Sequence, residues 1–343
     1  MLYGIAAAAT ALLLTALLAA LLRAPARRLR LLDRRRQREV PLSGGPAVVL
    51  ATGAVVGAGG WVGLVPPLDD GVRDLLVAGG AVAVLGLAGD VWRLRRRALA
   101  VGTAVAAACV VPYGETGVGA GLLAVGWVVW VTFGFRGLDH VDGLAGSVGM
   151  VTAFGVGVCA ALEVMDGFAV LMSVLAAALT GFLLHNWHPA RVALGGCGSM
   201  SAGFVLAVGA VYARAGQGLG ESAGVLSALT AVVGADVLLV LVARRLHGRP
   251  VPRGGPDHLA HRLRRLGLTV PAVAALLGAG ASSGVLVGVL VHAGRVGADA
   301  LWWVVGVALV VVLALSRVRV YGPRSRRASR SPQVSASLRV RSG

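Results

Sequence analysis

The stretch Phe135–Ser147, FRGLDHVDGLAGS, places Asp139 and Asp142 three residues apart, beside Arg136 and His140. Long apolar runs flank it, over residues 118–134 and 144–162. A bilayer core takes about 20 mainly apolar residues per spanning helix. The quoted stretch therefore reads as a short polar connection between two membrane helices, and its charges sit at the membrane edge.

The rest of the chain supports that reading. Hydrophobic residues make up 57% of its 343 residues, charged residues 14%, and mean hydropathy is +0.82. These values lie far from those of a soluble domain. About eleven apolar runs follow one another, near 1–22, 45–65, 71–88, 98–113, 118–134, 144–162, 167–185, 196–213, 222–243, 269–292 and 299–316. Backbone amides in hydrocarbon must be bonded within their own segment, so the expected fold is an all-α polytopic integral membrane protein with about eleven transmembrane helices. The first run has no basic residue before its apolar core and no clear cleavage site, so it reads as a retained helix.

The formal charge is +17, and all 32 basic residues are arginine. They alternate from loop to loop: RAPARRLRLLDRRRQRE, RLRRR, RRLHGRPVPRGGPDHLAHRLRRLG and the tail RVRVYGPRSRRASR are basic, while PPLDDGV, YGETG, EVMDG and GQGLGES are not. By the positive-inside rule the amino terminus is outside and the carboxyl terminus cytoplasmic. This pattern accounts for the charge without a nucleic-acid partner. Arginines near the surface attract anionic lipid by about 1 kcal/mol each. Residues 1–320 read as the transmembrane domain and 321–343 as a disordered basic cytoplasmic tail. The absence of lysine points to a GC-rich bacterial genome, hence a multi-pass protein of the bacterial plasma membrane. Cys109, Cys159 and Cys197 form neither a disulfide framework nor a metal motif.

Polar residues that lipid would reject mark function. They gather on the cytoplasmic side: Asp90 in LAGDVWRLRRR, Asp139 and Asp142 in the opening stretch, Asn186 in HNWHPARVALGGCGS, and Asp257, His258 and His261 in GGPDHLAHRL. Asp236 lies inside the ninth run, in VGADVLLVLVARR. One shared pocket would collect them. Helix capping is the alternative account of an aspartate at a helix start, and headgroup contact that of a basic loop. His185 and His188 lack a third ligand and read as part of an interfacial belt.

Five segments in order resemble the polyprenyl-phosphate sugar-1-phosphate transferases, the membrane family that includes the bacterial translocase of peptidoglycan synthesis. REVPLSGGPAVV is similar to its P-x-x-GG loop, LGLAGDVWRL to G-x-x-D-D-x-x-x-L, VTFGFRGLDHVDGLAG to V-T-N-A-x-N-x-x-D-G-x-D-G-L-A-G, and NWHPARVALGGCGSMSAG to N-x-x-P-A-x-x-F-M-G-D-x-G-S. GADVLLVLVARR with DHLAHRL resembles the helix and histidine motif that follow. The resemblance covers Val40 to about Gly267. It implies transfer of a sugar-1-phosphate from a UDP-sugar to a polyprenyl phosphate at the cytoplasmic face, in cell-envelope synthesis. It implies Asp90, Asp139 and Asp142 as catalytic residues, and Arg136, Asn186, Asp236, His258, His261 and Arg262 as substrate-binding residues. A homodimer is compatible with it.

The same resemblance implies Mg2+, and here the sequence departs from it. The first aspartate of the adjacent pair aligns with Gly89, an asparagine of the central motif with Arg136, and the aspartate of F-M-G-D with Gly196. Magnesium prefers oxygen ligands; Gly89 and Gly196 offer no side-chain oxygen, and Arg136 brings a permanent positive charge. Three readings stay open at this point: a transferase in which Arg136 neutralises the diphosphate, a catalytically silent relative that binds polyprenyl phosphate or nucleotide sugar or scaffolds envelope enzymes, and a transporter built on the same helices.

Overall fold

The computed structural model describes residues 2–33, 39–61, 69–246, 248 and 257–318. The basic tail and parts of the first and last arginine loops lie outside the described residues. Helices α1 (Leu2–Leu21) and α2 (Arg23–Arg28) lead into an antiparallel pair, β1 (Leu32–Asp33) and β2 (Val40–Pro41). Then follow α3 (Gly44–Trp61), α4 (Asp70–Val91), α5 (Arg96–Val110), α6 (Tyr113–Thr116), α7 (Val118–Leu138), α8 (Leu144–Leu162), α9 (Asp166–Asn186) and α10 (Gly195–Ala213). The chain continues through α11 (Leu219–Leu229), α12 (Ala231–Leu246), α13 (Leu259–Arg265), α14 (Val270–His292) and α15 (Ala300–Ser316).

The expected helical membrane architecture is present, with a different count. Among the described residues seven helices are long and apolar enough to span a bilayer, or up to eight if the bent pair α11–α12 is one span. α3 and α15 are apolar but shorter, and α5, of 15 residues, opens on two arginines. Eleven spans therefore exceed what helix length and composition alone establish. The two-residue β pair is the other departure from an all-α chain. It ties the first arginine loop to the entry of α3.

The ninth apolar run is one helix in the sequence reading and two helices in the structure, bent by 87° at Thr230. A break in a membrane helix frees backbone groups that need new partners. The Thr152 hydroxyl of α8 donates to the Leu229 carbonyl at 3.3 Å, and the Thr230 hydroxyl to the Leu226 carbonyl at 2.8 Å.

α10 runs through the centre of the bundle and packs against α3, α4, α7 and α8. Its sequence, GGCGSMSAGFVLAVGAVYA, is rich in small residues, which let neighbouring backbones approach. The glycine pair of the P-x-x-GG loop does the same at the start of α3: a Cβ on Gly45 would lie 2.2 Å from the Leu194 carbonyl oxygen. Close packing there fixes the first turn of α10, on which the site is built.

Candidate active site

The first amides of a helix have no partner within it. At α10 two are taken by carboxylates from other helices: Gly195 N–H donates to Asp139 Oδ2 at 2.7 Å, and Gly196 N–H to Asp90 Oδ2 at 2.5 Å. Asp90 comes from the last turn of α4, and Asp139 is the residue after α7. A negative charge at a helix start also favours the helix dipole. The two aspartates thus hold three helix ends together, the capping role that the sequence left open beside the catalytic one.

Arg136, in the last turn of α7, completes this centre. Its Nη2 lies 2.8 Å from Asp90 Oδ1, and its Nη1 lies 3.0 Å from Met200 Sδ. The two side chains are 14% and 12% exposed, so solvent screens the pair little. A cavity of about 640 Å³ opens over them, lined by Asp90, Arg136, Asp139, His140 and Ser199, by the loop of residues 29–33, and by Arg93 and Arg96. That size suits a small-molecule ligand.

These residues do not fit a magnesium ion. A Cβ on Gly196 would lie 2.2 Å from Arg136 Nη1 and 2.6 Å from the Gly86 carbonyl oxygen, so guanidinium and backbone fill the place where a carboxylate would start. A Cβ on Gly89 would meet Leu99 at 3.0 Å. A divalent ion about 4 Å from the guanidinium would be opposed by roughly 8 kcal/mol at an effective dielectric constant of about 20. Among the described residues no group of three His, Cys, Asp or Glu side chains is arranged to hold a metal.

A second cluster adjoins the cavity through His140. The rings of His140 and His258 are 4.4 Å apart, and those of His140 and His261 4.5 Å. Asp236, 1% exposed, accepts from His258 Nδ1 at 2.7 Å and from Leu259 N–H at 2.8 Å. It therefore caps α13 as well as orienting the imidazole. His140 Nδ1 donates to the Gly137 carbonyl, and its Nε2 is buried with no hydrogen-bond partner. Burial, reinforced by the neighbouring His258, pushes the His140 pKa down from 6.5 to about 3, against the opposing pull of Asp236. Burial lowers the His261 pKa too. His140 is thus a neutral imidazole whose buried Nε2 is an acceptor.

Three expected site residues stand elsewhere. Asp142 does not line the cavity: its Oδ2 accepts from Ala190 N–H at 3.1 Å and from His188 Nδ1 at 2.8 Å, which ties the turn before α8 to the loop after α9. His188 is thereby a hydrogen-bond partner of Asp142 and not simply part of an interfacial belt. Asn186, 1% exposed, accepts from Gly143 N–H at 2.9 Å and donates to the Val192 carbonyl at 2.7 Å, bracketing the same two loops. Arg262, 1% exposed, donates to the carbonyls of Asp257, Leu315, Ser316 and Val318, fastening α13 to the end of α15. In the structure Arg262 serves as an anchor between these two helices.

Residues beyond the motifs complete the site. Arg30 and Arg93 line the cavity with backbone φ of 54° and 52°, in the left-handed region. In the sequence both belong to arginine runs that topology alone explained. His140 was visible only as a departure from the motif glycine, and its ring partners lie far along the chain.

The family model described as glycosyl transferase family 4 matches residues 73–214. A Streptomyces coelicolor protein, provisionally named a glycosyltransferase, is 66% identical over 326 residues, covering 94% of this chain and 79% of its own length. The decaprenyl-phosphate N-acetylglucosaminephosphotransferase of Mycobacterium leprae is 31% identical over 238 residues, 58% of this chain and 59% of its own length. The phospho-N-acetylmuramoyl-pentapeptide-transferase of Rubrobacter xylanophilus is 30% identical over 153 residues, 44% of each. Three of the five motif segments, those from Asp90 to Gly196, fall within the matched region, and with the relative matched over 94% of this chain these grounds place the chain in glycosyl transferase family 4.

Proposed function

We propose that this protein transfers a sugar-1-phosphate from a nucleoside-diphosphate sugar, of which a UDP-sugar is the expected form, to a polyprenyl phosphate in a bacterial plasma membrane. The observation that carries the reading is the cavity in which Asp90, Arg136 and Asp139 converge on the first turn of α10. The names of the mycobacterial and Rubrobacter relatives support the phosphosugar and the lipid phosphate.

In the reaction an oxygen of the lipid phosphate forms a bond to the phosphorus that carries the sugar. The bond from that phosphorus to the bridging oxygen breaks, and the bridging oxygen leaves with its electron pair on the nucleoside monophosphate. Such transfer depends on positioning and charge neutralisation more than on covalent chemistry. Arg136 faces the charge of the diphosphate, Asp90 orients Arg136, and Asp139 keeps the start of α10 in register with α7.

Eleven spans, an outside amino terminus and a cytoplasmic site complete the proposal, supported by the alternation of arginine-rich loops. A second reading, a silent relative that binds these ligands without turnover, draws on the Arg136–Asp90 pair that replaces a metal centre. Incubating purified protein with labelled UDP-N-acetylglucosamine and undecaprenyl phosphate tests both. Labelled lipid diphosphate supports the transferase; ligand-induced thermal stabilisation with no product supports the silent relative.

A further inference from the structure

We infer that the Arg136 guanidinium is the resident cation of this pocket, so that the site takes a diphosphate without a divalent metal. The inference rests on the reading of the cavity as a diphosphate site and specifies how that site works.

Space comes first. α4 and α10 touch backbone to backbone beneath the cavity: a Cβ on Gly86 would lie 2.1 Å from the Gly196 carbonyl oxygen, and one on Gly196 would lie 2.6 Å from the Gly86 carbonyl oxygen. The helices have closed on the position where a metal-binding carboxylate would stand. Arg136 Nη1 occupies what remains, 2.2 Å from where that Cβ would be.

Fixation comes second. Asp90 holds Nη2 at 2.8 Å, and Asp90 is itself fixed by Gly196 N–H at 2.5 Å. A guanidinium held by a carboxylate on the adjoining helix loses little further freedom when a ligand arrives. Its planar fork matches phosphate oxygens, and it stays protonated at any working pH.

Charge comes third. Four arginines line the cavity, Arg30, Arg93, Arg96 and Arg136, against three aspartates, Asp33, Asp90 and Asp139. Arg30 and Arg93 are two of the three described non-glycine residues with positive φ. Strained backbone of this kind concentrates at functional sites. The balance favours an anion before any metal is added.

Binding of inorganic diphosphate to the full chain in detergent, by calorimetry, tests this with EDTA and with excess magnesium. The wild type is expected to bind equally, within about twofold, under both conditions, and Arg136→Gln about tenfold or more weakly under both. Arg136→Lys keeps the charge without the fork, so it should fold and bind in EDTA several-fold more weakly. Binding by the wild type only with magnesium would overturn the inference while leaving the diphosphate site intact. Absence of binding under either condition would overturn both. Full affinity in folded Arg136→Gln would remove Arg136 from the site, and if that variant fails to fold, dependence of the Arg136→Lys variant on magnesium decides the matter the same way.

Discussion

Asp90 and Arg136 lie 46 positions apart and meet at 2.8 Å, while the second oxygen of Asp90 caps α10 through Gly196 N–H. One carboxylate therefore sets both the cation of the site and the helix beneath it. Asp90→Asn should lower turnover by about 10²–10³, the usual effect of losing one preorganised electrostatic group. The same change should cost about 1–3 kcal/mol of stability, since Arg136 loses its carboxylate. Transfer rates and thermal unfolding of the purified variant check the two effects separately.

Arg244 and Asp257 form an ion pair at 2.9 Å with side chains 3% and 1% exposed. Removing one partner of a buried pair strands the other charge, at a cost of about 3–5 kcal/mol. Asp257→Asn should accordingly lower the melting temperature in detergent far more than Asp70→Asn, whose pair with Arg73 is 85% and 63% exposed. Equal effects of the two changes would show that the inner pair does not hold α12 to the histidine loop.

Asn186 brackets two loops through buried bonds to Gly143 and Val192. Asn186→Leu leaves both backbone groups unsatisfied, and each costs about 1–3 kcal/mol. Its effect should appear as lost stability accompanied by lost turnover, with no selective rise in the KM for the sugar donor. A selective rise in KM in a fully stable variant would instead place Asn186 on the substrate.

His140 gives a signed pH dependence. Its folded pKa, lowered from 6.5 to about 3 mainly by burial, favours the neutral ring in the fold. This contribution is fully present above about pH 6.5 and is lost as pH falls towards 3, because the unfolded chain binds the proton first. By about pH 5 the loss reaches roughly 2 kcal/mol, and the lowered pKa of His261 acts in the same direction. The melting temperature should fall between about pH 7.5 and 5, and His140→Gln should flatten part of that fall.

Much of this was legible in the residues. Asp90 and Asp139 were expected in one pocket with Asp142, Asn186, Asp236, Asp257, His258 and His261, because charges at the ends of apolar runs gather at a bundle end; the structure places Asp90 and Asp139 on one cavity beside Arg136, and the other six off its lining. That Gly196 brings no side-chain oxygen to the motif's aspartate position was legible too. The reason Gly196 is needed was not, because the contact with Gly86 joins helices distant in sequence. Asp142 and Arg262 match motif positions, but the bonds that fasten them to other segments join residues distant in sequence, which a motif does not reveal. The bend at Thr230 leaves no mark in hydropathy, which reads two short apolar helices as one run.

The most direct measurement is transfer of labelled sugar phosphate from UDP-N-acetylglucosamine to undecaprenyl phosphate by the purified protein in EDTA, beside Arg136→Gln. The predicted result is labelled lipid diphosphate from the wild type, little changed when magnesium is restored, and almost none from the variant. Product that requires magnesium, or product undiminished in folded Arg136→Gln, would contradict the assignment of Arg136 as the cation on which transfer depends.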